Sequence, residues 1–302
     1  MKFSLWLPAN LPWRDLRAAA IHAAGATSGA ARWRGLWLED HFMDNTPEPN
    51  DGARGECLTQ LTALAATVPD VRIGSLVLGN TYRHPAVVAK QAAALSDIAD
   101  GRFVLGVGAG WQENEHRAFG LEFADVPSRI RWFREALQVW SSLRDQEFTD
   151  FEGERYRLEH ASLNPKPHAT LPILIGGKGE KVMPKLVARY ADEWNMWSTP
   201  EVFAQKNRIF TAALEDAGRE SASLWRTTQA LVFFDDRARA DEIAAKGRPA
   251  IGGSATEIVD LMGAYAEAGV DEFILPLTSL SDVAKIDDLG DRFLTEVAAM
   301  VA

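Results

Sequence analysis

Short apolar runs alternate along the chain with longer segments whose apolar positions recur at helical spacing. Residues 3–7 read as a first strand stopped by Pro8, and residues 15–24 as a helix. Residues 35–41 form a second strand that ends in charged and titratable groups. A loop rich in Pro, Asn, Asp and Gly follows over 44–55, then a helix over 59–67. Residues 71–79 read as a third strand. His84-Pro85 opens a helix through Ala99, with the proline in the first turn, where it costs no hydrogen bond. Residues 103–107 are a fourth strand and 128–143 a long amphipathic helix. A fifth strand (172–177), a helix (180–190), a sixth strand (193–197) and a helix (200–217) follow. A seventh strand (227–234), a helix (256–268), an eighth strand (271–277) and a last helix from about 288 to 301 complete the chain.

Eight β-then-α repeats imply a parallel sheet with helices outside, and in one chain of this length a closed (β/α)8 TIM barrel in the α/β class. The rival is a doubly wound open sheet with an added domain. No tandem repeat or second boundary breaks the chain, so residues 1–302 are expected to form one barrel domain. One segment, about 145–170, departs from the alternation. It reads as an insertion between strands 4 and 5: a hairpin turning at Glu152-Gly153-Glu154, then an extended Asn164-Pro165-Lys166-Pro167 linker. An insertion on that side of a barrel is a lid or wall of the site, or padding of the fold.

Charge and composition narrow the function. With 42 acidic and 32 basic side chains the formal charge is −10, so nucleic acid and anionic membranes are poor partners. A single cysteine, Cys57, excludes a disulfide within the chain and favours a reducing compartment. The apolar run at the N-terminus is too short for a signal peptide, and no run is long enough to span a bilayer. A cytoplasmic protein acting on a small molecule is the expectation. The histidines lack HxH or HExxH spacing and there is no CxxC, so no metal ligands are assigned; there is also no GxSxG elbow.

In a barrel the chemistry belongs at the C-terminal ends of the strands. Glu39-Asp40-His41 closes strand 2, where Asp40 can position His41 for proton transfer near neutral pH, or the two can simply pair in a solvated loop. Strand 3 ends in Leu76-Val77-Leu78-Gly79-Asn80-Thr81; its glycines suggest a bulge, and Asn80 and Thr81 offer hydrogen bonds. Strand 4 runs into Gly108-Ala109-Gly110-Trp111, where backbone can approach a ligand closely, and then into polar residues that include Asn114. After strand 5, Gly176-Gly177-Lys178-Gly179-Glu180-Lys181 precedes a helix and reads as an anion cradle, with Gly252-Gly253-Ser254 a weaker second.

Three stretches resemble the luciferase-like flavin and deazaflavin oxidoreductases: Gly101 to Trp111 with Glu115 and Phe119-Gly120; Thr81-Tyr82-Arg83-His84-Pro85 to Lys90; and Pro172 to Lys181 with Ala188 to Asn195. The resemblance covers nearly the whole chain. It implies a barrel with an insertion, coenzyme F420 or FMN at its C-terminal mouth, and a tricyclic ring against strands 3 and 4. A bulge within Ser75-Leu76-Val77, often with a cis peptide, backs the ring. The phosphate end lies on Gly176, Gly177, Gly179 and Glu180. Asp40, Gly79, Ala109, Gly110 and Asn114 match cofactor-touching positions of deazaflavin-dependent sugar-phosphate dehydrogenases, and His41 matches their active-site histidine. Those enzymes carry Glu where this chain has Trp111, so the sequence looks more like the broader F420-dependent group. The resemblance implies hydride transfer between F420 and a small organic substrate, with reduced FMN and oxygen in a monooxygenase as the alternative, and a possible homodimer.

Overall fold

The computed structural model describes all residues except 47–51, 168–170, 279 and 302. Part of the expected 44–55 loop and the end of the 145–170 insertion therefore lie outside the described residues. Eight strands close on one another: β1 (Lys2–Trp6), β2 (Ala31–Leu38), β3 (Arg72–Ser75 with Leu78–Gly79), β4 (Phe103–Gly108), β5 (Ile173–Gly176), β6 (Glu193–Trp197), β7 (Trp225–Gln229) and β8 (Glu272–Pro276). All neighbours are parallel, and β1 pairs with both β2 and β8, which shuts the ring. The open-sheet alternative is thereby excluded.

Alternation along each strand builds two cores. Phe103, Leu105 and Val107 of β4 face outward and join the shell packed by the helices. Val104 faces inward with Trp6, Trp37, Leu76, Leu174 and Ile274. Only Val77 and Trp197 of that interior cluster are partly exposed, so they form the apolar floor of the mouth. The opposite end is closed by charge: Glu272 accepts from Trp225 Nε1 at 2.9 Å and pairs with Arg34 at 3.0 Å, and Arg72 pairs with Glu193.

Ten α-helices are described: α1 (Trp13–Gly25), α2 (Cys57–Thr67), α3 (Pro85–Ile98), α4 (Glu113–Ala118), α5 (Val126–Asp145), α6 (Met183–Tyr190), α7 (Pro200–Asp216), α8 (Arg237–Ala245), α9 (Ala255–Glu267) and α10 (Val283–Phe293), the last running on into a π-helical turn and a short helical end. The expected hairpin is present as Thr149–Glu152 paired with Arg157–Ala161. The buried Glu135 carboxylate of α5 accepts the backbone N–H groups of Glu154, Arg155 and Tyr156, which fixes the turn. Tyr156 then packs edge-on to His84, 5.3 Å between ring centroids, so the hairpin walls the β3 side of the mouth.

The bulge expected within Ser75-Leu76-Val77 is present: the run over 71–79 leaves regular pairing at Leu76-Val77, whose peptide is cis. Other expectations change. The run over 227–234 is two strand segments. Trp225–Gln229 stays in the barrel, whereas Leu231–Phe234 turns out and pairs in parallel with Ala250–Gly253 across the unanticipated α8. Helix α6 starts at Met183 rather than Glu180. The polar stretch after Trp111 contains α4 instead of continuing as loop.

Candidate functional site

The end of β2 brings Asp40 and His41 to the mouth, but not to each other. Successive side chains leave an extended backbone on opposite sides. Asp40, 2% exposed, turns toward β3, where it accepts from Arg83 through both oxygens at 2.8 Å and from the Gly79 N–H at 3.0 Å. Arg83 also donates to Glu56, the capping residue of α2. Asp40 thus ties three loops together and does not orient His41, contrary to the sequence expectation.

His41 is held by Glu115 of α4. The Glu115 side chain is fully buried and receives His41 Nδ1 at 2.9 Å, the Phe42 N–H at 2.8 Å and the Tyr82 hydroxyl. Burial alone raises the pKa of a carboxyl, but hydrogen bonds from His41, Tyr82 and the Phe42 backbone outweigh it, and Glu115 lies below the ordinary glutamate value. Burial and the same carboxylate push the Tyr82 hydroxyl well above the phenol range, so it remains a donor. With Glu115 fixed as acceptor, Nδ1 of His41 carries the proton of that bond. Nε2 makes no hydrogen bond among the described residues. Helix α4 itself is anchored by His116, which bridges the Gln112 carbonyl and the Thr81 hydroxyl, each at 2.6 Å.

Because the folded Glu115 pKa is depressed, its contribution to stability is complete above the unfolded value near 4.5 and disappears as pH falls through the lower folded value. Urea midpoints taken from pH 6 to pH 3 should therefore fall more steeply for the wild type than for Glu115→Gln. Equal slopes would show that the site does not hold this carboxylate ionised.

The remaining sequence candidates divide. Trp111 is 60% exposed and stands edge-on to His41, with centroids 5.4 Å apart. It also lines a cleft of about 510 Å³ with Asn45, Thr46, Gln112 and Arg117, a volume suited to a small organic molecule. Ala109 and Gly110 lie beside it, and at Gly110 the protein itself leaves no room for a side chain. Gly110 has φ +79°, and a Cβ there would overlap the Thr81 hydroxyl; one at Gly106 would overlap the Ser75 carbonyl. The small residues make room for the irregular end of β3. Asn114 is similarly engaged with protein, donating to the carbonyls of Asp44 and Thr46. Val77 lies on the floor, and Leu76 is buried in the same interior cluster. Asn80 is 5% exposed, and its Oδ1 is buried without a partner among the described residues.

After β5, Gly176 and Gly177 are half-buried, while Lys178, Gly179, Glu180 and Lys181 are exposed. Lys206 of α7 pairs with Glu180 at 2.6 Å. The second glycine candidate is occupied. Ser254 and Glu257 form a capping box at the start of α9, so that helix end already has its carboxylate.

Glu115, Tyr82 and Arg83 carried no assigned role at the sequence level. Their signal was faint, since α4 is polar along its length and a polar run reads as solvent-facing. Among the described residues no group of three or more His, Cys, Asp or Glu side chains is placed to hold a metal ion, and no helix is long and apolar enough to cross a membrane.

The luciferase-like monooxygenase family model matches residues 1–272. An F420-dependent glucose-6-phosphate dehydrogenase of Kineococcus radiotolerans is 32% identical over 205 residues, covering 67% of this chain and 60% of that protein. A pyrimidine monooxygenase of Allorhizobium ampelinum is 31% identical over 193 residues, covering 63% and 51%. The matched segments thus span between half and three-fifths of these relatives' length. Among solved structures, an F420-dependent secondary alcohol dehydrogenase bound to an F420–acetone adduct superposes with a TM-score of 0.81 at 22% identity, covering 97% of this chain and 98% of that one. A type II Baeyer–Villiger monooxygenase of Pseudomonas putida in complex with FMN gives 0.75 at 15%, covering 99% and 98%. At these identities the structures establish the shared fold.

Proposed function

Because the chain belongs to the luciferase-like monooxygenase family, we propose that it is an oxidoreductase that transfers a hydride between coenzyme F420 and a small organic substrate. The observation that carries this reading is His41, held at Nδ1 by a buried carboxylate at the barrel mouth, with Nε2 unengaged among the described residues. Relatives named as F420-dependent dehydrogenases support the choice of cofactor.

The residues at the mouth fit such a group. Val77 and Trp197 give an apolar floor. Asn80 Oδ1 is a buried acceptor lacking a donor among the described residues, and the imide N–H of a deazaflavin or flavin is a donor of that kind. The glycine and lysine loop over 176–181 offers backbone N–H groups and positive charge to a phosphate. Val77, Asn80 and that loop would hold the cofactor, with Gly79, Ala109, Gly110 and Trp111 around the mouth. When bound, F420 supplies or accepts the hydride.

The chain's own work is orientation and proton handling. Glu115 fixes the His41 ring and its tautomer. Nε2 takes or gives the proton that must move when a C–O bond gains or loses a hydride. Asp40 and Arg83 tie the end of β2 to the end of β3. The hairpin wall and Trp111 limit access of water.

A second reading, an FMN-dependent monooxygenase, draws on the pyrimidine monooxygenase relatives. Titration of the protein with F420 and with FMN separates the two. F420 should bind at least about tenfold more tightly than FMN. Tight FMN binding without F420 binding would replace the first reading with the second.

A further inference from the structure

The segment that leaves the barrel after β7 carries four basic side chains over residues 235–253: Arg237, Arg239, Lys246 and Arg248. Three are ion-paired, Arg237 with Glu257 and both Arg239 and Lys246 with Glu242. Arg248 forms no ion pair among the described residues. Its guanidinium instead lies over the Trp197 ring, 4.8 Å from the centroid. Trp197 ends β6 and is one of the two floor residues of the mouth. Three strands lie between β6 and β2 on either side of the ring of eight, so Trp197, with Arg248 over it, stands across the mouth from the end of β2 that carries His41.

A second donor lies in the same cluster. Trp6, at the end of β1, packs against Trp197 with centroids 5.5 Å apart. Its Nε1 is buried and has no acceptor among the described residues. An indole N–H in that state lacks the partner that buried donors normally have. An anionic oxygen can serve both, as the counter-charge of the guanidinium and as the acceptor of the indole N–H. The chain carries net charge −10, so a cation without a carboxylate partner among the described residues, set beside the floor of the mouth, is a local exception to the overall field.

We propose that Arg248, with Trp197 and Trp6, is a substrate-recognition subsite for a carboxylate or phosphate group carried on an apolar or aromatic body. The guanidinium binds the anion, the Trp6 N–H contributes a hydrogen bond, and the tryptophan rings cover the body of the molecule. The far end of the substrate then reaches toward His41. The proposal rests on the oxidoreductase reading of the mouth and adds the class of molecule that enters it.

Calorimetric titrations with benzoate, phenyl phosphate and the neutral benzamide test it, on the protein alone and on the protein saturated with F420. One of the two anions should bind at least about tenfold more tightly than benzamide, and Arg248→Met should remove about that margin. Benzoate preferred over phenyl phosphate assigns a carboxylate, and the reverse a phosphate. Trp6→Phe should weaken the anion by a smaller factor, with circular dichroism unchanged in both variants. F420 affinity, read from its own fluorescence, should be the same in the wild type and Arg248→Met. Equal anion affinity in the wild type and Arg248→Met, or no preference over benzamide, overturns the proposal. So does an Arg248→Met variant that loses F420 affinity instead, since the guanidinium then serves the cofactor. Failure of the parent reading shows separately, as absence of F420 binding to the wild type, and the titrations on the protein alone still decide the subsite.

Discussion

His41→Ala should lower turnover about a hundredfold to ten-thousandfold while leaving cofactor affinity nearly unchanged, the range expected when a positioned acid–base group is removed. The asymmetry follows from the geometry. His41 is tied to Glu115 and stands beside Trp111, whereas the apolar floor, Asn80 and the loop over 176–181 belong to other strands. Steady-state rates followed at the cofactor absorbance and a fluorescence titration of the same variant give the two numbers. Unchanged turnover removes His41 from the mechanism. A parallel loss of cofactor affinity makes it a binding residue instead.

Arg83→Ala should destabilise the fold by about 3–5 kcal/mol, because it strips the main partner from a buried carboxylate. Asp40 has no exposed side-chain surface, and Arg83 supplies two of the hydrogen bonds that it accepts. The Gly79 N–H alone cannot compensate for the lost charge. Loss of the contact to Glu56 also weakens the start of α2. Urea denaturation measures the cost. A loss below about 1 kcal/mol, the range of an exposed pair, would show that Asp40 reaches water or another partner.

The barrel was legible because its strands are buried on both sides and its helices are not, so apolar runs and helical periodicity alternate without ambiguity. The site was legible as a place, since barrel chemistry belongs to strand ends, and His41 stands at one. Its partner was not. Asp40 is adjacent in sequence, but an extended chain sends neighbours to opposite sides, and the true partner lies 74 residues away on a short polar helix. Nothing in Glu113-Asn114-Glu115-His116 distinguishes buried residues from solvated ones until Tyr82, Thr81 and His41 are placed around them. The glycines of β4 are ambiguous for a related reason. A small residue reports close approach without saying of what, and here it is the irregular end of β3. The run over 227–234 hid a departure from the barrel at Ala230, because the first half is buried in the ring and the second is apolar and at least partly buried in the outer parallel pair.

The central claim is that the C-terminal mouth is a deazaflavin site worked by His41. A crystal structure of the protein soaked with F420 tests it most directly. The tricyclic ring should lie on Val77 and Trp197, with the Asn80 side chain at its edge and His41 facing the hydride-bearing carbon across the substrate space. A ring bound elsewhere, or a mouth that takes up FMN and leaves F420 in solution, would contradict it.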